Sequence, residues 1–484
     1  MLIVAIIVEF LIDGSSAYHR APLSPKAKYA LVQFALRFED RLCECGYEEL
    51  AKQFGMSKQR MSAALKELVE RGILEVHPKP EGRGRPINLY RLASQVWQLL
   101  SGVKWSGMVA GERHWVAIEK LLRDVQVESS SELTSTGLAG ANQSGRLAIE
   151  DRLLLCVLLC HADRYGVVSV LSATDLRRLA GFGSDALKGR LQRLIGCGLI
   201  RAYVPGVTSR GLFGKAKSVY YLNLQHPHFA SGYPLAGVMV YGAMRSDPSE
   251  AELMLQALQD DKKRLDREVS AQGDVAVDVQ ECESPQAVAP SMAVSALLDP
   301  RESGRIALAL QVRLELYASW LLSRHWGGIE DRAFPLPPVL AGIIRHDFVE
   351  VRQKERAELS RLADALVDCI YTHALALARS VKRWLPRVPE QGRSQQIAYQ
   401  ELDYLILPHA YRRGGSPRLN WFRTVLAFPR TEAVWHGCHT AQVQGSDVGM
   451  LREYEREIDI PLQERYLYGL LTRPSHGDGS APKS

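Results

Sequence analysis

The feature that most constrains this chain is a repeat of its own pattern. Residues Glu49 to Leu74 align without gaps on Asp175 to Ile200, at an offset of 126 residues. The identities are Leu50/Leu176, Gly55/Gly181, Leu65/Leu191, Leu68/Leu194 and Gly72/Gly198. Met56/Phe182, Met61/Leu187, Val69/Ile195 and Ile73/Leu199 keep apolar character. Matching apolar positions say more than the identity count, because they are what a core needs. Both stretches are therefore expected to build the same unit.

In the first copy, Pro25 to Phe38 has a helical apolar rhythm and reads as a supporting helix. Tyr47 to Phe54 reads as a short helix, and Gly55 permits a left-handed turn after it. Ser57 is a good N-cap for a longer helix with Met61, Leu65, Leu68 and Val69 inward, ending at Gly72. Ala51, Gly55 and Met61 fit the helix-turn-helix template: a small residue at the contact, a glycine at the corner and an apolar anchor. The outward face then offers Ser57, Lys58, Gln59, Arg60, Ser62 and Lys66, side-chain types that reach base edges and phosphates. Ile73 to Val76 follows as a strand, Lys79 to Pro86 as a tight basic turn with Arg83 and Arg85, and Ile87 to Leu92 as a return strand.

In the second copy, Ile149 to His161 supplies the supporting helix. Ser172 caps the short helix with Asp175 three residues on, a variant of the capping box. The second helix, about Asp185 to Gly196, is preceded by Ser184 and exposes Lys188, Arg190 and Arg193. A longer basic hairpin, Pro205 to Lys217, carries Arg210, Lys215 and Lys217 between the strands Ile200–Val204 and Ser218–Leu224. Arg177 stands where Ala51 stood, and Gly183 and Gly189 weaken the helix, so this copy departs from the template.

This order of elements resembles the winged helix-turn-helix domain of bacterial regulators. The GRGRP turn followed by a Tyr-x-Leu strand is similar to the wing of MarR-, ArsR- and PadR-type proteins. The resemblance covers about residues 24–95. It implies that the second helix enters the major groove and the wing rests on flanking backbone or minor groove. Arg83-Gly84-Arg85-Pro86 also matches the core of AT-hook peptides, whose arginines enter a narrow, strongly negative minor groove.

Charge follows the same division. Residues 21–95 carry 13 Lys/Arg against 9 Asp/Glu, and residues 147–225 carry 11 against 5, while residues 246–303 carry 5 against 13. Two basic blocks that precede an acidic stretch suit a polyanionic partner. The eight cysteines show no disulfide framework, which fits a reducing cytosol. The apolar run MLIVAIIVEFLI is too short to span a bilayer and reads as a buried strand. No other segment reads as a membrane span.

The expected fold class is mainly α with small β-hairpin wings: two winged helix-turn-helix domains followed by an α-helical C-terminal domain. The boundaries are 21–95 and 147–225 for the two domains, 96–146 for a connector, 226–303 for an acidic, partly flexible linker and 304–475 for the helical domain. Within the linker, Ser249 to Glu268 reads as a charged exposed helix. The C-terminal helices are placed at Ile306–Trp326, Val339–Val351, Glu355–Trp384, Ile397–Leu405, Trp421–Leu426 and Gly449–Leu471.

Three constellations invite other readings. His436-Gly437-Cys438-His439 has metal-ligand types but no partner cluster, and Cys156, Cys160 and His161 lie in an apolar helix. Cys43-Glu44-Cys45 has the spacing of a redox pair. His409-x-x-Arg412 with His436 resembles part of the tyrosine-recombinase box, but Gly445 stands where the nucleophile belongs and the next tyrosine is Tyr454. No catalytic arrangement stands out, so neither an enzyme nor a cofactor or metal is expected. The expected function is a sequence-specific transcriptional regulator that binds double-stranded DNA in the cytoplasm, on the nucleoid, as a homodimer. A further protein partner or small ligand would sit at the C-terminal domain, and no membrane is involved. The rival functions are a replication initiator, since some plasmid initiators resemble this chain in carrying two winged-helix domains, and a partition or structural DNA-associated protein.

Overall fold

Ser24 accepts from the backbone N–H of Ala27 and Pro25 occupies the first turn, so a helix begins here for local reasons. This helix, α1 (Pro25–Arg37), is followed by α2 (Tyr47–Gln53) and α3 (Lys58–Glu70), with Ser57 capping α3 through the Arg60 N–H. Gly55 and Gly72 take the left-handed conformation, at φ 64 and 67°, where the two helices of the pair end. Strands β1 (Leu74–Lys79) and β2 (Ile87–Leu92) pair antiparallel from Leu74/Leu92 to Lys79/Ile87, and Cys43 adds a single bridge to Tyr90. The chain continues through α4 (Ser94–Gly102) and α5 (Trp115–Arg123).

The second copy repeats this order as α6 (Ile149–Cys160), β3 (Val167–Val168), α7 (Ala173–Ala180), α8 (Ser184–Gly196) and β4 (Ile200–Val204). It adds the small hairpin β5 (Val207–Ser209) with β6 (Gly214–Ala216), and then β7 (Val219–Leu222). Ser172 and Asp175 form the capping box in both directions. The sheet order is β3-β7-β4, so the short strand before the helix pair, a single bridge in the first copy, is a full strand here.

This computed structural model describes residues 23–79, 86–102, 114–123, 147–209, 214–229, 233, 236–243, 251, 253–254, 256, 267, 303–348, 358–385, 399–408, 421–430, 438–444 and 447–472. The described chain is mainly helical with small antiparallel sheets, apart from one larger mixed sheet. It divides into two compact units. The first holds the described residues up to Tyr203, Ser218–Tyr233 and those from Leu471; the second holds Val204–Lys217 and Pro234–Leu470.

The two copies are one unit rather than two domains joined by a connector. A single core runs from Leu31, Phe34, Leu50 and Met61 of the first copy through Leu154, Leu158, Leu176 and Leu194 of the second. The supporting helices α1 and α6 pack on each other. The expected connector takes part, since Ala117, Ile118, Leu121 and Leu122 of α5 are buried in the same core. Lys28 of α1 is buried to 3% exposure and donates to the carbonyls of Arg178 and Leu179 at the end of α7, 2.6 and 2.8 Å away. The apolar pattern that marks each copy as a domain is the same pattern that lets the two share a core.

The second unit corrects the all-helical expectation. Helices α9 (Ser303–His325), α10 (Pro338–Phe348) and α11 (Glu358–Trp384) are present. The segments read as helices near 397–405, 421–426 and 449–471 are instead mostly β9 (Leu402–Ile406), β10 (Trp421–Pro429) and β12 (Asp447–Tyr454), with α12 (Leu462–Leu467) and the short 3-10 turns Tyr399–Glu401 and Glu457–Asp459 helical. With β8 (Gly237–Ala243) and β11 (Cys438–Gln444) they form a five-stranded sheet ordered β12-β11-β8-β10-β9. Its central strand, β8, comes from the stretch expected to be linker. Ala251 and Met254, from the expected exposed helix, are buried in this unit's core. All five residues of β9 are buried, so the strand shows no alternation from which to recognise it.

Helix α9 includes Ile306–His325, a stretch long and apolar enough to cross a membrane, which the sequence reading passed over; most of it is buried. It packs on α11 and along β9. Ser319 accepts from the Ile406 N–H at 2.9 Å and Ser323 from the Tyr404 N–H at 2.8 Å, which satisfies the outer edge of the sheet. The apolar N-terminal run and the linker segment 270–302 lie outside the described residues.

Candidate nucleic-acid interface

Helix α3 buries Met61, Ala64, Leu65 and Leu68 and turns the opposite side to solvent. Ser57, Lys58, Gln59, Arg60, Ser62 and Lys66 are all exposed on that side. The burial follows from the three- and four-residue spacing of the apolar residues, which leaves the polar ones nowhere to go but outward. Lys79, at the end of β1, is exposed as well. Arg83 and Arg85 lie outside the described residues, as does Arg210.

The cations on this face are paired with acids that the sequence reading did not single out. Lys58 meets Glu48 of α2 at 2.6 Å, and that hydrogen bond raises the ammonium's affinity for its proton and lowers that of the carboxylate. Lys66 pairs with Glu70 at 3.7 Å, one turn along its own helix. Arg60 meets Glu150, in the first turn of α6, at 3.4 Å. Exposed pairs of this kind are weak and exchange readily for a phosphate.

The second copy is different. Ser184 and Lys188 are exposed on α8. Arg190 and Arg193 both reach Asp151, at 3.1 and 3.2 Å, and Arg190 also reaches Glu150 at 3.5 Å. Asp151 is 1% exposed, so removing its arginines would strand a buried carboxylate. These two arginines, expected at a DNA surface, are committed to holding α8 against α6. Lys217 is exposed, but the hairpin β5–β6 groups with the second unit, where Val207 and Ala216 lie against the core. Lys215 sits on β6 of that hairpin. The expected second wing does not stand free.

The other constellations stay plain. Burial pushes the Cys156 thiol up to about 12 and Cys160 well above the usual range, and Cys43 is likewise pushed up to about 12. Thiols held protonated in this way are poor nucleophiles and poor ligands. Among the described residues no group of three or more His, Cys, Asp or Glu side chains is placed to hold a metal. Cys438 and His439 lie on β11, while His409, Arg412 and His436 fall outside the described residues.

No family model matches this chain, and neither a curated protein nor a solved structure matches it.

Proposed function

We propose that the chain is a sequence-specific DNA-binding transcriptional regulator, and that each copy is a winged helix-turn-helix module. The observation that carries this is the exposed polar and basic side of α3, the second of two helices joined through Gly55, followed at once by the β1–β2 hairpin. A helix of this kind fits the major groove, where Gln59 and Arg60 can read base edges and Lys58 and Lys66 can exchange their carboxylates for phosphates. The first copy supplies the sequence reading. The second contributes Ser184 and Lys188 at backbone contacts, because its arginines are engaged inside the unit. Arg83 and Arg85 enter the minor groove beside the core site and give a preference for A/T-rich flanks. The protein works on the nucleoid and pairs as a homodimer, which doubles the length of DNA read.

Chromatin immunoprecipitation with sequencing tests the reading. Enrichment of one motif at promoters is expected. Enrichment confined to clustered repeats at an origin would favour a replication initiator, a reading to which the fusion of two copies in one unit also lends itself. No enriched motif at all would overturn sequence-specific binding.

A further inference from the structure

The copies share one core, and two sets of contacts limit how far apart their second helices can be. One oxygen of Glu150, in the first turn of α6, is 3.4 Å from the Arg60 guanidinium of α3, and the other is 3.5 Å from that of Arg190 of α8. With ordinary side-chain lengths, the Cα atoms of Arg60 and Arg190 are then at most about 24 Å apart. Further along α3, Glu67 accepts from the Ser24 N–H at 2.8 Å, and the neighbouring Leu23 carbonyl oxygen rests against Gly181, just before α8. This holds the Cα atoms of Glu67 and Gly181 within about 14 Å. Helices so placed have no way to share a duplex as two readers. A major groove about 12 Å wide takes one helix about 10–12 Å across. Successive major grooves on one face lie about 34 Å apart. With α3 in one groove, α8 falls short of the next.

The outward side chains agree with the spacing. At the offset of 126 residues, Lys58, Gln59, Arg60 and Lys66 give way to Ser184, Asp185, Ala186 and Gln192. Asp185 and Ala186 are exposed, so a carboxylate and a methyl group stand where the first copy offers an amide and a guanidinium. Three cations are lost from this side, and only Lys188, in place of Ser62, is gained. A helix side with so little positive charge is a poor match for a groove walled by phosphates. We propose that each chain reads one undivided DNA element, with α3 alone in the major groove and α8 across the flanking backbone, outside any groove. This rests on the reading that α3 enters the major groove. An operator with two blocks of specified bases one turn apart then takes two chains, one α3 for each block.

The test uses the full chain. Selection from random-sequence duplexes gives the preferred site of the wild type and of each variant, and affinity is measured on the wild-type site and on a scrambled duplex over a range of salt. Replacing Gln59 and Arg60 together by Ala should relax the specified bases in every block and lower the selected-to-scrambled ratio about five- to a hundredfold. Lys188→Ala should leave the motif unchanged, weaken both duplexes alike by roughly two- to fivefold, and reduce the log–log salt slope by about 1. Asp185→Asn should also leave the motif unchanged, and should tighten both duplexes by roughly two- to fivefold. A block of bases that either α8 variant relaxes, and that the α3 variant spares, would put α8 in a groove and overturn the proposal. Unchanged affinity in both α8 variants would take α8 off the DNA and overturn it too. A wild-type chain that selects no motif would count against the DNA reading itself. A motif read in separate blocks by the two helices of one chain would count against this proposal alone.

Discussion

Glu67 of α3 accepts hydrogen bonds from both the backbone N–H and the hydroxyl of Ser24, at the start of the supporting helix of its own copy. The repeat places Arg193 at the matching position, and Arg193 pairs with Asp151 near the start of α6. The tie between second helix and supporting helix is kept in both copies, with its polarity reversed.

Losing that tie should be measurable. Glu67→Ala leaves the Ser24 N–H without its acceptor and is expected to cost about 1–3 kcal/mol. Ser24→Ala keeps the backbone bond to Glu67 but loses the hydroxyl that caps α1, and is expected to cost about 0.5–2 kcal/mol. Urea denaturation of the two variants gives the order, and equal midpoints would show that the hydroxyl, not the carboxylate's grip on the backbone, is what matters.

Gly181 and Gly72 separate two causes of strain. Both sit at positive φ, 75 and 67°. A Cβ on Gly72 would meet nothing within 4 Å, whereas one on Gly181 would lie 2.4 Å from the carbonyl oxygen of Leu23 in the other copy. Gly72→Ala should cost about 1–2 kcal/mol for the left-handed backbone. Gly181→Ala should cost about 1–3 kcal/mol more, because the two copies must move apart. Similar melting temperatures for the two variants would argue against this close approach.

Lys28 makes stability depend on pH. Burial, with a smaller push from Arg178, lowers its pKa from 10.5 to about 8. Between those values the unfolded chain holds a proton that the folded chain has released, so stability from this group rises with pH across the window. The neutral amine keeps N–H groups for the Arg178 and Leu179 carbonyls. Denaturation at pH 8, 9 and 10 should show the rise in wild type and a flatter profile in Lys28→Met. An identical slope in the variant would remove Lys28 as its source.

Ser319 and Ser323 guard the edge of the five-stranded sheet. Ser319→Ala should leave the Ile406 N–H unpaired in a buried setting, and Ser323→Ala the Tyr404 N–H, at about 1–3 kcal/mol each. Hydrogen exchange offers a local readout, with the amide of Ile406 losing protection in the first variant and that of Tyr404 in the second. Protection retained at both amides would mean the edge has another cover.

What the sequence could reveal here depended on distance along the chain. Leu50, Leu65 and Leu68 recur at helical spacing, and Gly55, Gly72, Gly181 and Gly198 mark the left-handed turns, so the helix pairs were readable from local pattern. The bridge from Cys43 to Tyr90 was not, because one paired residue has no period. β9 and most of β10 are buried at successive positions, which a short apolar run shares with a buried helix. β8 joins partners nearly two hundred residues away, beyond any local signal. At the candidate site the outward residues of α3 followed from the same periodicity as its core. The acids that restrain them did not, since Glu150 reaches Arg60 only through the packing of one copy on the other.

That packing has a consequence for how the chain behaves in a cell. Two separate subunits associated through such a core would obey mass action and part on dilution. Joined covalently, the copies meet at an effective concentration set by the chain between them, whatever the number of molecules present. The two second helices are therefore delivered together at any expression level, even where a dimer held by the same contacts would be mostly dissociated.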